Sequence, residues 1–350
     1  MKVLYHVPHL NTVYAGRTIY KGYENAWKYL GHSFRFLTSE DKAKEVFYSY
    51  EPDIFVTSLN IYNLKFLDLS LLKQVKKDLR TKVFVNTPFW NSPFTVLRPN
   101  EAGSLAKNRS YIELIKSGNY GDVYYNVCEK DDERMAGFDK EFGFGHETIL
   151  LAADDIINYP ETSELFTSDI SFLGTNLPDK RKFFEERLFP LGEKYKLRLY
   201  GQDWSYLDKL TGMVKKFGQL FDVPYLKNLQ KPTLALEDER KIYFNSIISL
   251  NIHEEYQRIY GGDCNERTFK IPLCGGFEVV DDISCIRKYF IDGKDIIIAK
   301  DKNDWFEKID YYIRNPEKRA PIIEAGREKV ANKHTYKNRV NQIIGIYNKL

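Results

Sequence analysis

Cysteine is scarce: the four in 350 residues, Cys128, Cys264, Cys274 and Cys285, form no C-x-x-C pair, and only Cys264 and Cys274 lie close together. That argues against a disulfide framework or a zinc site, no metal site is expected, and buried or idle thiols in a reducing compartment fit better. Long apolar runs are missing too, since "IISLNI" and "DIIIA" fall far short of the ~20 residues that span a bilayer. The first residues, "MKVLYHVPHL", lack the charged-then-apolar build of a signal peptide, so a cytoplasmic protein is expected. Nor is one sign of charge in excess: 52 Lys and Arg face 49 Asp and Glu, a net +3 that does not resemble a dedicated nucleic-acid binder. Low-complexity segments and short repeats are absent. Aromatics are the opposite case, with 25 Tyr and 23 Phe, so their presence at any one place marks nothing by itself.

What is present is alternation. Short β-rich runs ("KVLYHV", "SFRFLT", "DIFVTSL", "KVFVNT", "DVYYNVC", "ETILLAA") take turns with helical stretches, among them a charged run from Glu129 to Phe142. Parallel neighbours need a crossover helix, so this pattern predicts a doubly wound α/β domain. No G-x-G-x-x-G follows the first strand; the loop "PHLNTVYAGRT" is long for a βα turn, and such loops border ligands in open α/β sheets. The polar connector "ADDIINYPETSELFTS" precedes a second round: "DISFLG", a helical run from Pro178 to Tyr195, "KLRLYG", "MVKKFGQL", "LEDERKIYFNS", "IISLNI", "FEVVDD" and "DIIIA". The expected organisation is a domain over 1–155, a second over 156–335 facing it across a cleft, and a terminal helix over 336–350 packing back on the first domain.

Between the last long strands lies "NIHEEYQRIYGGDCNERTFKIPLCGGFEVVDD". Asn265 suits an N-cap, Glu266 the positive end of a helix dipole, and Gly275 with Gly276 a stop after Pro272. Arg267 and Lys270, three apart, share a helix face, so the loop Gly261-Gly262 and this short helix could cradle a diphosphate. Solvated surface cations after an ordinary glycine loop explain the pattern equally well.

This stretch, with "FIDGKDIIIAKDKNDWFEKIDYYIRNPEKRAPIIEAGREKVANKHTYKNRV", resembles the C-terminal domain of CgeB-like (spore maturation protein) glycosyltransferases, group 1 enzymes of GT-B fold. "ISFLGTNLPDKRKFFEERLF" and "RLYGQDW" are similar to earlier landmarks of that domain. The resemblance implies two Rossmann-like domains, a nucleotide-sugar (UDP- or GDP-sugar) as co-substrate held by the second, and an acceptor (glycan, protein or nucleic acid) held by the first. It implies a metal-independent, retaining transfer without a resident cofactor. Carried over by residue, it places Gly174, Thr175, Arg181, Gly201, Asp203, Trp204, Asn265, Arg267, Gly275 and Gly276 at the donor; the helix reading adds Glu266 to the donor side and sets Lys270 beside Arg267 on the leaving diphosphate. Lys270 stands where relatives carry a glutamate that accepts from the donor ribose, a role an ammonium cannot fill. Asp263, Glu254 and Glu255 are nearby carboxylates that could substitute.

His253, ending a strand, is a candidate donor contact, although strand-end histidines are often structural. On the acceptor side stand His9, Asn11, Gly16 and Arg17 after the first strand, and Phe89 and Trp90 in "NTPFWNSP", as a stacking platform or as core. Two alternatives remain open: a viral-type transferase that glycosylates a nucleic-acid base, and a non-catalytic nucleotide- or sugar-binding module.

Overall fold

The computed structural model describes residues 1–10, 14–91, 104–229 and 234–350. It divides into two compact units, Met1–Leu150 with Arg339–Leu350, and Leu151–Asn338.

The first unit is built on six parallel strands: β1 (Lys2–His6), β2 (Ser33–Leu37), β3 (Ile54–Ser58), β4 (Lys82–Asn86), β5 (Val123–Asn126) and β6 (Glu147–Thr148), in the order β2-β1-β3-β4-β5-β6. β1, β3, β4 and β5 are sheathed on both faces, which is why they read as nearly continuous apolar runs. Two expectations are corrected here. The loop after β1 is shorter than the sequence implied, because a helix already starts at Tyr14 and takes Gly16 and Arg17 into its first turn, where the Thr18 hydroxyl donates to Ala15 O at 2.8 Å. The charged run from Glu129 is not one helix: the Asp132 carboxylate accepts the Arg134 N–H at 2.8 Å and sets a short 3-10 turn. Gly137 at φ +93° then restarts the chain as the helix Phe138–Phe142.

The second unit holds five parallel strands, β7 (Ser168–Leu173), β8 (Leu197–Tyr200), β9 (Ser246–Asn251), β10 (Glu278–Asp281) and β11 (Ile297–Ala299), ordered β11-β10-β9-β7-β8. The first strand of the unit lies between the second and the third, so the winding reverses between β7 and β9. In open α/β sheets the ligand crevice lies beyond the carboxyl ends of the strands at that reversal. The polar connector is docked on this unit: Ala153 bridges Thr335, the Ser163 N–H donates to Asn245 Oδ1 at 2.9 Å, and Glu161 pairs with Arg240. "MVKKFGQL" belongs to the helix Tyr206–Leu220, and Pro178–Tyr195 winds irregularly through 3-10, α and π turns. The predicted break at His334-Thr335 separates the helix Arg319–Lys333 from Tyr336–Tyr347. Among the described residues no helix is long and apolar enough to cross a membrane.

Candidate functional site

The carboxyl ends of β7 and β9 carry two cations. Arg267 opens the short helix Arg267–Leu273, its N–H held by Asn265 Oδ1 at 2.9 Å. Its guanidinium ties the two strand ends together: Nε donates to Asn251 Oδ1 at 3.1 Å, Nη1 to Leu173 O at 3.2 Å and Nη2 to Ile252 O at 2.9 Å. The Lys180 ammonium, buried, donates to the same Ile252 carbonyl at 3.1 Å. Neither cation pairs with a carboxylate among the described residues. Burial, and then the neighbouring Arg267 charge, bring Lys180 down to about 7. Three of the five guanidinium N–H groups are committed to protein oxygens, which leaves two for a ligand.

Beneath the cations the polar groups are layered. Asn251 uses all its hydrogen-bonding capacity: Oδ1 accepts from Arg267 and from Asn265 at 2.8 Å, while Nδ2 donates to Thr268 Oγ1 at 3.0 Å and Glu278 Oε1 at 2.7 Å. Burial raises Glu278 to about 8, so it is largely protonated at neutral pH, and its Oε2 has no partner. His253 is wholly buried, with Nδ1 2.7 Å from Asp281 Oδ1 and its backbone N–H also on that carboxylate. Burial holds the imidazole below its ordinary range although Asp281 opposes this, and Arg267 and Lys180 push the same way as burial. A neutral ring whose Nδ1–H faces a carboxylate leaves Nε2 bare, and that atom is buried without a partner.

The other donor-side candidates scatter. Gly174 and Gly201 adjoin this edge and are small for a reason: a Cβ on Gly174 would stand 3.1 Å from Arg267 Nη1, and one on Gly201 2.4 Å from Gly174 O. Trp204 Nε1 donates to Gly174 O at 3.0 Å, Thr175 O accepts from Leu177 N, and Asp203 at φ +65° gives its N–H to Asp208. Arg181, by contrast, is exposed and paired with Glu185 at 2.8 Å. Lys270 is the main correction. It is buried and lies between Glu266 Oε2 at 3.0 Å and Glu239 Oε2 at 3.3 Å, so its charge is spent inside the unit. Glu266 is occupied likewise, by Lys270 and the Tyr336 hydroxyl at 2.5 Å. Asp263 accepts from Gln257 Nε2 at 2.8 Å. Gly275 and Gly276 pack against Phe244, Pro160 and Tyr243 O, a packing role.

In the first unit the winding reverses between β1 and β3, and there His6 Nδ1 meets Thr57 Oγ1 at 3.0 Å. Burial takes His6 down to about 4, so the ring is neutral in ordinary buffers. His9 lies against Ser39 at 3.3 Å and Phe66, while Asn11 falls outside the described residues. Phe89 lies under the Arg134 guanidinium at 4.2 Å, and Trp90 packs on Phe142, so both belong to the edge of the core. The sequence reading missed Lys180, Asn251, Glu278 and Asp281. A signal existed for two of them: Glu278 is the lone polar residue in the apolar run "FEVV", and Asn251 is one of two, with Ser249, in "IISLNI".

Residues 180–345 match a family model described as glycosyl transferase-like. No curated protein sequence matches the chain. Among solved structures, similarity extends along the whole length. An alpha-glucosyltransferase in complex with UDP and a 13-mer DNA containing an HMU base aligns with TM-score 0.62 at 13% identity, over 99% of both chains. Anabaena Alr3699/HepE in complex with UDP and glucose aligns with TM-score 0.58 at 11% identity, over 100% of both. A glycosyltransferase from Rickettsia africae aligns with TM-score 0.64 at 14% identity, over 99% of this chain and 98% of that one. The fold is the GT-B architecture of these structures, and residues 180–345 carry the similarity to the glycosyl transferase-like model.

Proposed function

We propose that the protein transfers a sugar from a UDP-sugar to an acceptor hydroxyl, with the donor diphosphate seated at the carboxyl ends of β7 and β9. The observation that carries this reading is the convergence of Arg267 and Lys180 on Ile252 O, neither of them in an ion pair among the described residues, although the charges of Glu254, Asp179 and Asp281 act on Lys180. Two adjacent, partly desolvated cations repel each other, and a dianionic diphosphate relieves that repulsion while taking up the two remaining guanidinium N–H groups. UDP accompanies two of the similar structures, which favours uridine as the nucleotide.

In the reaction the bond from the anomeric carbon to the diphosphate oxygen breaks, and its electron pair stays on that oxygen. The acceptor oxygen bonds the anomeric carbon and gives up its proton. Arg267 and Lys180 stabilise the charge that grows on the departing diphosphate, which is what preorganised donors do best. We assign His253, held by Asp281, the role of meeting a phosphate or the sugar through its unpartnered Nε2. We place the acceptor in the first unit, beside His6 and Thr57. We also propose that transfer needs no metal, because the two side-chain cations fill that role, and that the anomeric configuration is retained, as in the CgeB-like enzymes the sequence resembles.

Arg267→Ala is expected to lower turnover by about 10²–10³ while keeping the circular dichroism spectrum. The assay is release of UDP from a panel of UDP-sugars, with EDTA present, and a variant with near-parental turnover would reject the site. A second reading, glycosylation of a nucleic-acid base, is favoured by the DNA-bound relative. Binding of duplex DNA that weakens steeply with salt would support it, and no binding at low salt would remove it.

A further inference from the structure

The helix Tyr206–Leu220 turns its apolar face outward. Residues three and four apart share a helix face, and Tyr206, Leu210, Met213, Phe217 and Leu220 recur at that spacing. All five are exposed, Tyr206 by 82%, Met213 by 63% and Phe217 by 54%. The residues this helix buries are Asp208 and Gly218. A surface helix of a globular protein normally does the reverse. Beyond its end, exposed Phe221, whose ring is 4.5 Å from that of Phe217, and exposed Tyr225 extend the patch.

The patch is held in place on purpose-built contacts. Ser205 Oγ caps the Asp208 N–H at 3.2 Å, and the Asp208 carboxylate in turn accepts the Asp203 N–H. A Cβ on Gly218 would come within 2.5 Å of Leu226, so the short helix Pro224–Lys227 packs directly on the glycine, and Lys227 pairs with Asp222 at 3.0 Å. Charge selects what covers the face. Lys209 and Lys216, both exposed and seven residues apart, run along one border of the stripe. The acids of the hairpin, Asp208 and Asp222, are already engaged. A second copy packed here would set lysine borders against each other without carboxylates to pair them.

We propose that this face is a membrane-surface anchor, with the helix lying in the headgroup region of an anionic phospholipid bilayer. Its apolar side chains would enter the acyl boundary while Lys209 and Lys216 meet lipid phosphates. The proposal stands independently of the transfer reaction. The test is flotation of the full chain with vesicles of phosphatidylcholine plus phosphatidylglycerol, against phosphatidylcholine alone. The parent floats with the anionic vesicles and less so at high salt. Met213→Ser with Phe217→Ser lowers partitioning about tenfold or more with an unchanged melting curve, since both side chains are already in water. Lys209→Glu with Lys216→Glu abolishes the preference for anionic lipid. A parent that floats with neither vesicle, or a serine variant that floats like the parent, overturns the proposal. So does a dimer that the serine variant dissociates without any vesicle binding, which would assign the face to a second copy.

Discussion

Lys270 and Lys180 are both buried lysines in the second unit, and their surroundings give them opposite fates. Burial pulls Lys270 down, but Glu239 and Glu266 outweigh it and hold the ammonium above its ordinary range. Removing it strands two buried carboxylates, and breaking a buried pair in this way costs about 3–5 kcal/mol. Lys270→Ala should therefore lower the denaturation midpoint while leaving UDP affinity of the folded fraction unchanged; lost affinity with unchanged stability would return the lysine to the binding site. Lys180 is in no ion pair among the described residues; burial, and then Arg267, outweigh the charges of Glu254, Asp179 and Asp281 and bring it from 10.5 to about 7. Between those values the unfolded chain holds a proton that the native state lacks, so this residue makes stability rise with pH across that window. Its burial therefore costs most below pH 7, and Lys180→Met should flatten the pH dependence, read by urea denaturation at pH 6 and pH 9. A bound diphosphate favours the charged amine. Calorimetry of UDP binding at pH 8 should accordingly show proton uptake, as heats that differ between buffers of different ionisation enthalpy; buffer-independent heats would separate Lys180 from the diphosphate.

At the scale of elements, the strands were legible because parallel strands covered on both faces are largely apolar, as "DISFL" and "SIISLN" are around their few polar residues. The cap at Asn265 and the stop at Gly275 were legible too, since both depend on residues close in sequence. What escaped was long-range. The partner of Lys270 at Glu239 is 31 residues upstream, and Lys180 reaches a carbonyl 72 residues away, so no local pattern separates the structural lysine from the one at the sheet edge. The neighbouring Arg181 came from the resemblance, yet it is exposed and paired with Glu185. The turn after β8 offers an element-level test. Gly201 combines φ +113° with a Cβ position 2.4 Å from Gly174 O, so Gly201→Ala must move a backbone and should cost about 1–3 kcal/mol. Because Gly174 also flanks the Arg267 guanidinium, UDP affinity should fall together with the melting temperature; a fall in stability alone would uncouple the turn from the site.

For the whole molecule, the sequence made two α/β rounds visible, and fold-level analogy supplied a terminal helix that packs back on the first. The last helix, Tyr336–Tyr347, begins in the second unit, and from Arg339 onward it belongs to the first. Val340 and Ile343 are buried, Arg339 Nε donates to Leu150 O at 3.0 Å and Gln342 Nε2 to Thr148 O at 2.7 Å. Deleting residues 339–350 should therefore loosen the first unit selectively, seen by hydrogen exchange as faster exchange in β1–β5 than in β7–β11; equal protection in both would contradict it. The same tie has a consequence during synthesis. Leu150 leaves the ribosome long before the residue that seals it, which is 189 positions further along. Until that residue emerges, the earlier unit waits with an open seam while the later one is still being made. The half made first is thus the last to be finished, and a stall late in translation would leave its seam open to chaperones and proteases.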